Sequence, residues 1–251
     1  MVTIAQPALS TDQRTFYHEN GYLLVAGLIS PAEAAEYRRE CHDLAMRLSA
    51  NASLESTWKS ARDVAGGQGD TMLLGCHNVQ FYAAAFSRLI VDERLTAVAA
   101  ALIASPNVQL HHTKMFIKPP EKGSPFPLHQ DHPFFPHERH SMIAAILHFD
   151  DAPVEKGCVC VVPGSHQRGP LEHHPEGSWH LPLDQYPLGS AVPCPAKAGD
   201  VLFFSYLTIH GSGVNTSSEA RTTVLVQMRD PLDRPLVKTH ESRGQGMMLR
   251  G

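Results

Sequence analysis

Val201-Leu202-Phe203-Phe204-Ser205-Tyr206-Leu207-Thr208-Ile209-His210-Gly211-Ser212-Gly213 is an apolar run that ends on a histidine and a pair of glycines. Its aromatic and β-branched content, and the glycines that close it, predict a buried strand with a histidine at its end. Runs of the same kind lie at 108–117, 141–149, 158–162 and 221–228, with Gly- and Pro-rich turns between them. Short strands spaced by such turns predict a β-sandwich or jelly roll.

Upstream of Pro106 the character changes. Residues 11–20 read as a short helix closed by Gly21, and 22–25 as a brief apolar strand. Ser30-Pro31-Ala32-Glu33 joins an N-cap, a proline suited to the first helical position and a glutamate that completes a capping box. A helix should follow to about residue 48. Gly66-Gly67-Gln68-Gly69-Asp70 reads as a flexible loop, and 87–104, rich in Ala and Leu, as one further helix. Beyond Pro231 the chain is polar, with Gly244, Gly246 and Gly251, and reads as a mobile tail. The expected class is mainly β with flanking helices, as one domain over 1–251. Its helical part would cover about 1–105, its jelly-roll core about 106–230 and its polar tail 231–251.

The chain has 251 residues, 43% hydrophobic and 18% charged, ordinary values for a soluble globular protein. A formal net charge of -4 gives no electrostatic reason to expect nucleic acid. No apolar window reaches the roughly 18 residues of a membrane span. The opening Met1-Val2-Thr3-Ile4-Ala5-Gln6-Pro7 lacks the layout of a signal peptide. The five cysteines, Cys41, Cys76, Cys158, Cys160 and Cys194, include no Cys-x-x-Cys, which argues against a disulfide framework or zinc ribbon. Cys158 and Cys160 share one strand face and are expected to pack there. These features suggest a reducing cytoplasm. Sixteen histidines raise the expectation of a metal site.

Leu128-His129-Gln130-Asp131 contains a His-x-Asp. On an extended chain the first and third side chains point the same way, so an imidazole and a carboxylate can share one ion. Two histidines and a carboxylate on one side of a metal leave the opposite positions open, as in non-haem Fe(II) oxygenases. A lone His-x-Asp is equally well read as a solvated loop. His210 supplies a third ligand at its strand end. Arg221 opens an otherwise apolar strand, where a buried guanidinium needs a carboxylate; the distal carboxylate of 2-oxoglutarate would be one.

Taken together, His129-Gln130-Asp131, Gly157-Cys158-Val159-Cys160-Val161-Val162-Pro163-Gly164-Ser165-His166, His210-Gly211-Ser212 and Arg221 resemble the phytanoyl-CoA dioxygenase family. Lys118-Pro119-Pro120 and the opening Phe16-Tyr17-His18-Glu19-Asn20-Gly21-Tyr22-Leu23-Leu24-Val25 resemble it too. The resemblance spans nearly the whole chain. It implies a double-stranded β-helix (a cupin-like jelly roll) that uses Fe(II), 2-oxoglutarate and O2. By position it implies His129, Asp131 and His210 as catalytic iron ligands. It implies Arg221 and Ser212 on the far carboxylate of 2-oxoglutarate, with Asn78 and Lys114 as further cosubstrate contacts. Ile146 stands where some relatives carry an aromatic. Halogenases of the family have a small residue in place of the carboxylate ligand, so Asp131 argues against halogenation.

His112 and Lys114 alternate with Leu110 and Phe116. Their common face is either in water at a sheet edge or in a barrel lumen, with Lys114 near an anionic ligand. His148 shares a face with Ile146 and Ala144; with His112 and Phe134 these residues are candidates for the substrate cavity. His132, His137 and His140 should cap the pocket mouth or face solvent, and His173 and His174 should lie in a loop. The stretch 164–197, with Trp179 and Tyr186, reads as a partly ordered lid. The expected activity is oxidation, by default hydroxylation, of a small organic metabolite of specialised metabolism, with 2-oxoglutarate converted to succinate and CO2. A metal cupin of another class (an isomerase or a 2-oxoglutarate-independent dioxygenase) and a non-catalytic small-molecule binder remain as alternatives. No nucleic acid or membrane partner is expected; the oligomeric state is open.

Overall fold

A computed structural model describes residues 9–50, 72–174, 179–239 and 241–251. The loop expected at 66–70 lies outside the described residues. Strands are β1 (Tyr22–Val25), β2 (Leu74–His77), β3 (Val108–Lys118), β4 (Phe126–His129), β5 (Ile143–His148), β6 (Val159–Val161), β7 (Val192–Cys194), β8 (Val201–Ser205), β9 (His210–Ser212), β10 (Arg221–Arg229) and β11 (Met248–Arg250). Helices are α1 (Thr11–Asn20), α2 (Pro31–Ala50), α3 (Ala84–Ile90) and α4 (Glu93–Ile103). The larger sheet runs β1-β8-β5-β10-β3, with β2 and β11 both against β3; the smaller runs β4-β9-β6-β7. All pairings are antiparallel. This is the jelly roll expected from the strand runs.

Period-two alternation sorts the large sheet's side chains between two cores. Met115, Ile117, Leu147, Phe203, Val224 and Val226 pack outward with α2, α3 and α4. Ala144, Ile146, Leu202, Phe204 and Leu225 face inward, packed with Val159 and Val161 of the smaller sheet. Helices therefore cover one face of the sheet, and the barrel lumen lies against the other. The strands buried on both faces carry near-continuous apolar runs for this reason. No helix among the described residues is long and apolar enough to cross a membrane.

Several local expectations need correction. The single helix expected at 87–104 is two, because Asp92 caps α4: its carboxylate accepts from Arg94 N at 2.8 Å and pairs with the Arg94 guanidinium at 2.6 Å. The run 201–209 is not one strand. It leaves the large sheet after Ser205, turns, and re-enters the smaller sheet at His210, so His210 begins a strand rather than ending one. Leu110 and His112 do not share a face. Gln227 pairs with His112 but Met228 with Leu110, so His111 is the extra residue of a β-bulge. Leu110 consequently joins the outer core. Finally, the polar tail is docked. Asp233 is fully buried and accepts from Arg139 N, Ser141 N and Ser141 Oγ at 2.7, 2.8 and 2.7 Å, while β11 pairs with β3.

Candidate active site

β4 and β9 lie side by side with His129 opposite His210. Asp131 follows two residues past His129. Its backbone N–H donates to Tyr206 O at 2.9 Å, as does that of His132 at 3.2 Å, so the turn between β8 and β9 fixes the carboxylate beside both rings. Asp131 Oδ1 is 3.7 Å from His129 Nε2 and 3.6 Å from His210 Nε2. One ligand atom from each residue falls within 4.8 Å of the others. The expected triad is thus brought together at one end of the lumen.

The donor set fits a divalent cation. His129 Nδ1 lies 2.8 Å from Pro127 O, and His210 Nδ1 lies 3.0 Å from Thr208 O. A carbonyl only accepts, so each Nδ1 carries the proton and each Nε2 a lone pair turned toward Asp131. Burial, reinforced at His129 by His210, pushes the His129 imidazole down to about 3 and His210 to about 4, so both are neutral at neutral pH. Two imidazole lone pairs and a carboxylate facing one another have no donor among themselves, and a cation satisfies all three. Burial raises Asp131 above the usual carboxylate range, partly offset by His129, by Gln227 and by the charge of Lys114. Gln227 Nε2 donates to Asp131 Oδ2 at 3.3 Å.

Arg221 and Ser212 are buried, 3% and 2% exposed, and both neighbour Lys118, Arg221 as its cross-strand partner and Ser212 through a hydrogen bond. Arg221 Nη1 donates to Gly157 O, and its Nε has no acceptor among the described residues. Gly157 sits at φ 64°, and a Cβ there would strike the carbonyls of Gly213 and Val214, so the position demands glycine. Burial lowers the Arg221 guanidinium to about 10. Lys114 and His112 face the lumen; the solvent-edge reading of that strand is ruled out, since both are 5% exposed. Burial lowers the Lys114 ammonium to about 7. His148 is nearer Arg221 than the triad in its electrostatics, with Nδ1 3.3 Å from Asp200 O and a buried Nε2 lacking a partner among the described residues. Ile146 is part of the lumen wall. The Phe134 ring lies edge-on to His129, centroids 6.4 Å apart. Asn78 follows β2 at φ 60°, with its N–H on Thr113 O at 2.9 Å and a buried Oδ1 that has no donor among the described residues.

Four supporting residues were missed. Gln130 turns away from the triad: its Nε2 donates to Gly169 O at 3.0 Å and Leu207 O at 2.7 Å, and its Oε1 accepts from Leu171 N at 2.9 Å. His173, expected in a loop, is buried and accepts the Gln130 N–H at 2.8 Å. These contacts order the start of the expected lid. Gln227 and Lys118 are the others, both signalled by even spacing from Arg221 and Lys114 along lumen-facing strands. His137, expected at the mouth or in solvent, is instead fully buried beside His111.

The sequence profile described as phytanoyl-CoA dioxygenase (PhyH) matches residues 17–223, a span that includes the triad, Ser212 and Arg221. The chain belongs to the phytanoyl-CoA dioxygenase family. This PhyH member is 30% identical to the peroxisomal phytanoyl-CoA dioxygenase of Rattus norvegicus over 242 residues, 88% of this chain and 69% of that protein. It is 28% identical to the ectoine dioxygenase of Bordetella parapertussis over 247 residues, covering 87% of this chain and 75% of that protein. Its fold matches the crystal structure of the epimerase SnoN in complex with Fe3+, alpha ketoglutarate and nogalamycin RO at a TM-score of 0.73 and 25% identity. That match covers 95% of this PhyH chain and 98% of the other.

Proposed function

We propose that this PhyH-family protein is an Fe(II)- and 2-oxoglutarate-dependent dioxygenase that hydroxylates a small organic metabolite. The observation that carries the reading is the pairing of an all-acceptor His129–Asp131–His210 cluster with a buried Arg221 in the same lumen. Iron held there, with O2 and 2-oxoglutarate, supplies the oxidant, and 2-oxoglutarate leaves as succinate and CO2.

The chain's own groups do the placing. His129, Asp131 and His210 would hold the metal. Arg221 and Ser212 take the far carboxylate, which fixes the length of acid accepted. Leu225, Ile146 and Phe204 wall the lumen with apolar surface and exclude water. Lys114 and His112 bring polar groups to the same lumen, where they contact cosubstrate or substrate, and Asn78 is a further candidate contact through its unpartnered Oδ1. The five cysteines are free thiols, which supports a reducing compartment such as the cytoplasm. A substrate from specialised metabolism accords with the SnoN likeness.

The test is 2-oxoglutarate consumption. Fe(II)-loaded protein with O2 should release succinate, and a metabolite library should reveal compounds that accelerate release and gain one oxygen atom from 18O2. Absence of Fe(II)-dependent succinate across conditions and library would favour a metal cupin of another class. A second expectation concerns Gln227. It steadies Asp131, and outer partners of metal ligands are typically worth about 10–100-fold in metal affinity. Gln227→Leu should therefore weaken Fe(II) binding by about that factor in a chelator competition while the fold persists. Unchanged affinity would remove Gln227 from the metal site.

A further inference from the structure

Lys118 closes β3 directly opposite Arg221, which opens β10. Both side chains lie on the lumen side, 0% and 3% exposed. Like charges placed opposite each other on paired strands repel, and burial removes the water that would screen them. Burial, with the charge of Arg221 added, holds the Lys118 ammonium well below its ordinary range. Neither cation pairs with a carboxylate among the described residues.

The polar contacts are specific. Lys118 Nζ donates to Ser212 Oγ at 2.7 Å and to Gly213 O at 2.5 Å, and its charge lies 5.3 Å from the centre of the Phe126 ring. An ammonium has three N–H groups, so one is left. Because Ser212 Oγ accepts from Lys118, its own proton must point elsewhere. Arg221 uses Nη1 on Gly157 O and leaves Nε–H without an acceptor. One ammonium N–H, one hydroxyl and the guanidinium N–H groups not used on Gly157 O, Nε–H among them, therefore remain as donors around two buried cations. That is the complement of a carboxylate.

We propose that Lys118 is a positioning residue for the far carboxylate of the 2-oxo acid. It turns the Ser212 hydroxyl toward that carboxylate and, with Arg221, forms a two-cation cradle that a 2-oxo acid fills only if it carries a second carboxylate. The proposal rests on the 2-oxoglutarate reading above and adds the residue that makes the cosubstrate site selective for a second carboxylate. The competing role for Lys118 is purely structural, as a tie between β3 and the end of β9.

Two ligands separate these roles: 2-oxoglutarate, and 2-oxobutyrate, which has the same 2-oxo acid end but no far carboxylate. Their affinities are measured by anaerobic calorimetry on Fe(II)-loaded protein. Lys118→Met should weaken 2-oxoglutarate by about 10–100-fold, the range of a lost charge-assisted hydrogen bond, and leave 2-oxobutyrate within about twofold. Lys118→Arg should recover part of the loss. In the metal-free protein, glutarate should raise the thermal midpoint of the wild type. Lys118→Met should unfold at a higher temperature without ligand, because the repulsion is gone, and should lose most of the glutarate-induced rise. Lys118→Gln gives the same reading if the methionine variant does not fold. Equal effects on both acids, or none, would overturn the role of Lys118 and leave the 2-oxoglutarate reading intact. A wild type that binds both acids equally would overturn both.

Discussion

Asp131→Ala is expected to leave protein that folds but neither retains iron nor oxidises substrate. The carboxylate is the one anionic donor in the triad, and removing it leaves two neutral imidazoles to hold a dication. Losing such a ligand removes several kcal/mol of metal binding. At about 1.4 kcal/mol per factor of ten, turnover should fall below about one-thousandth of wild type. The metal-free fold should not suffer, because burial already disfavours the Asp131 carboxylate and the alanine relieves that cost. Iron content after desalting, turnover and the metal-free thermal midpoint together check this. A variant that keeps iron at wild-type affinity would show that the ion binds elsewhere. The alanine also opens space beside the metal, yet added chloride is expected to restore no appreciable hydroxylation.

Arg221→Lys should raise the 2-oxoglutarate requirement with little effect on folding. Arginine offers a planar two-pronged donor to a carboxylate, whereas lysine offers a point charge. The change also loses the contact with Gly157 O and sets a second ammonium opposite Lys118. A rise of about 10–100-fold in the concentration of 2-oxoglutarate for half-maximal turnover is expected from the loss of one charge-assisted hydrogen bond. Maximal turnover should fall less, since the metal-chelating end of the acid is untouched. An unchanged saturation curve would instead point to a metal cupin that does not use 2-oxoglutarate.

The parts of this site that were legible in the sequence are those governed by strand periodicity. His129 and Asp131 are two apart, and an extended chain must put them on one side. Arg221 in an apolar strand demands an anion wherever the strand is buried. What escaped reading depends on contacts between distant segments. Lys118 is evenly spaced from Lys114, yet it precedes two prolines, and it is the pairing with Arg221 that shows the strand to continue this far with the charge buried. The bulge at His111 leaves no local signature, yet it decides that Leu110 and His112 part company. The turn at 206–208 is hidden because Tyr206 and Leu207 are as apolar as the strand before them, being buried with Phe135 and Met142. The polarity of the tail points to solvent, whereas Asp233 is buried and accepts from backbone N–H groups of the 139–141 segment.

Gln130 sits between His129 and Asp131, and every partner of its side chain is a main-chain atom: the carbonyls of Gly169 and Leu207 and the N–H of Leu171. Such an anchor is indifferent to which side chains the 169–171 stretch displays. The 169–171 segment is therefore an exchangeable part. Its exposed residues can be rewritten to suit a different molecule while the amide clamp, and through it the spacing of His129 and Asp131, stays as it is.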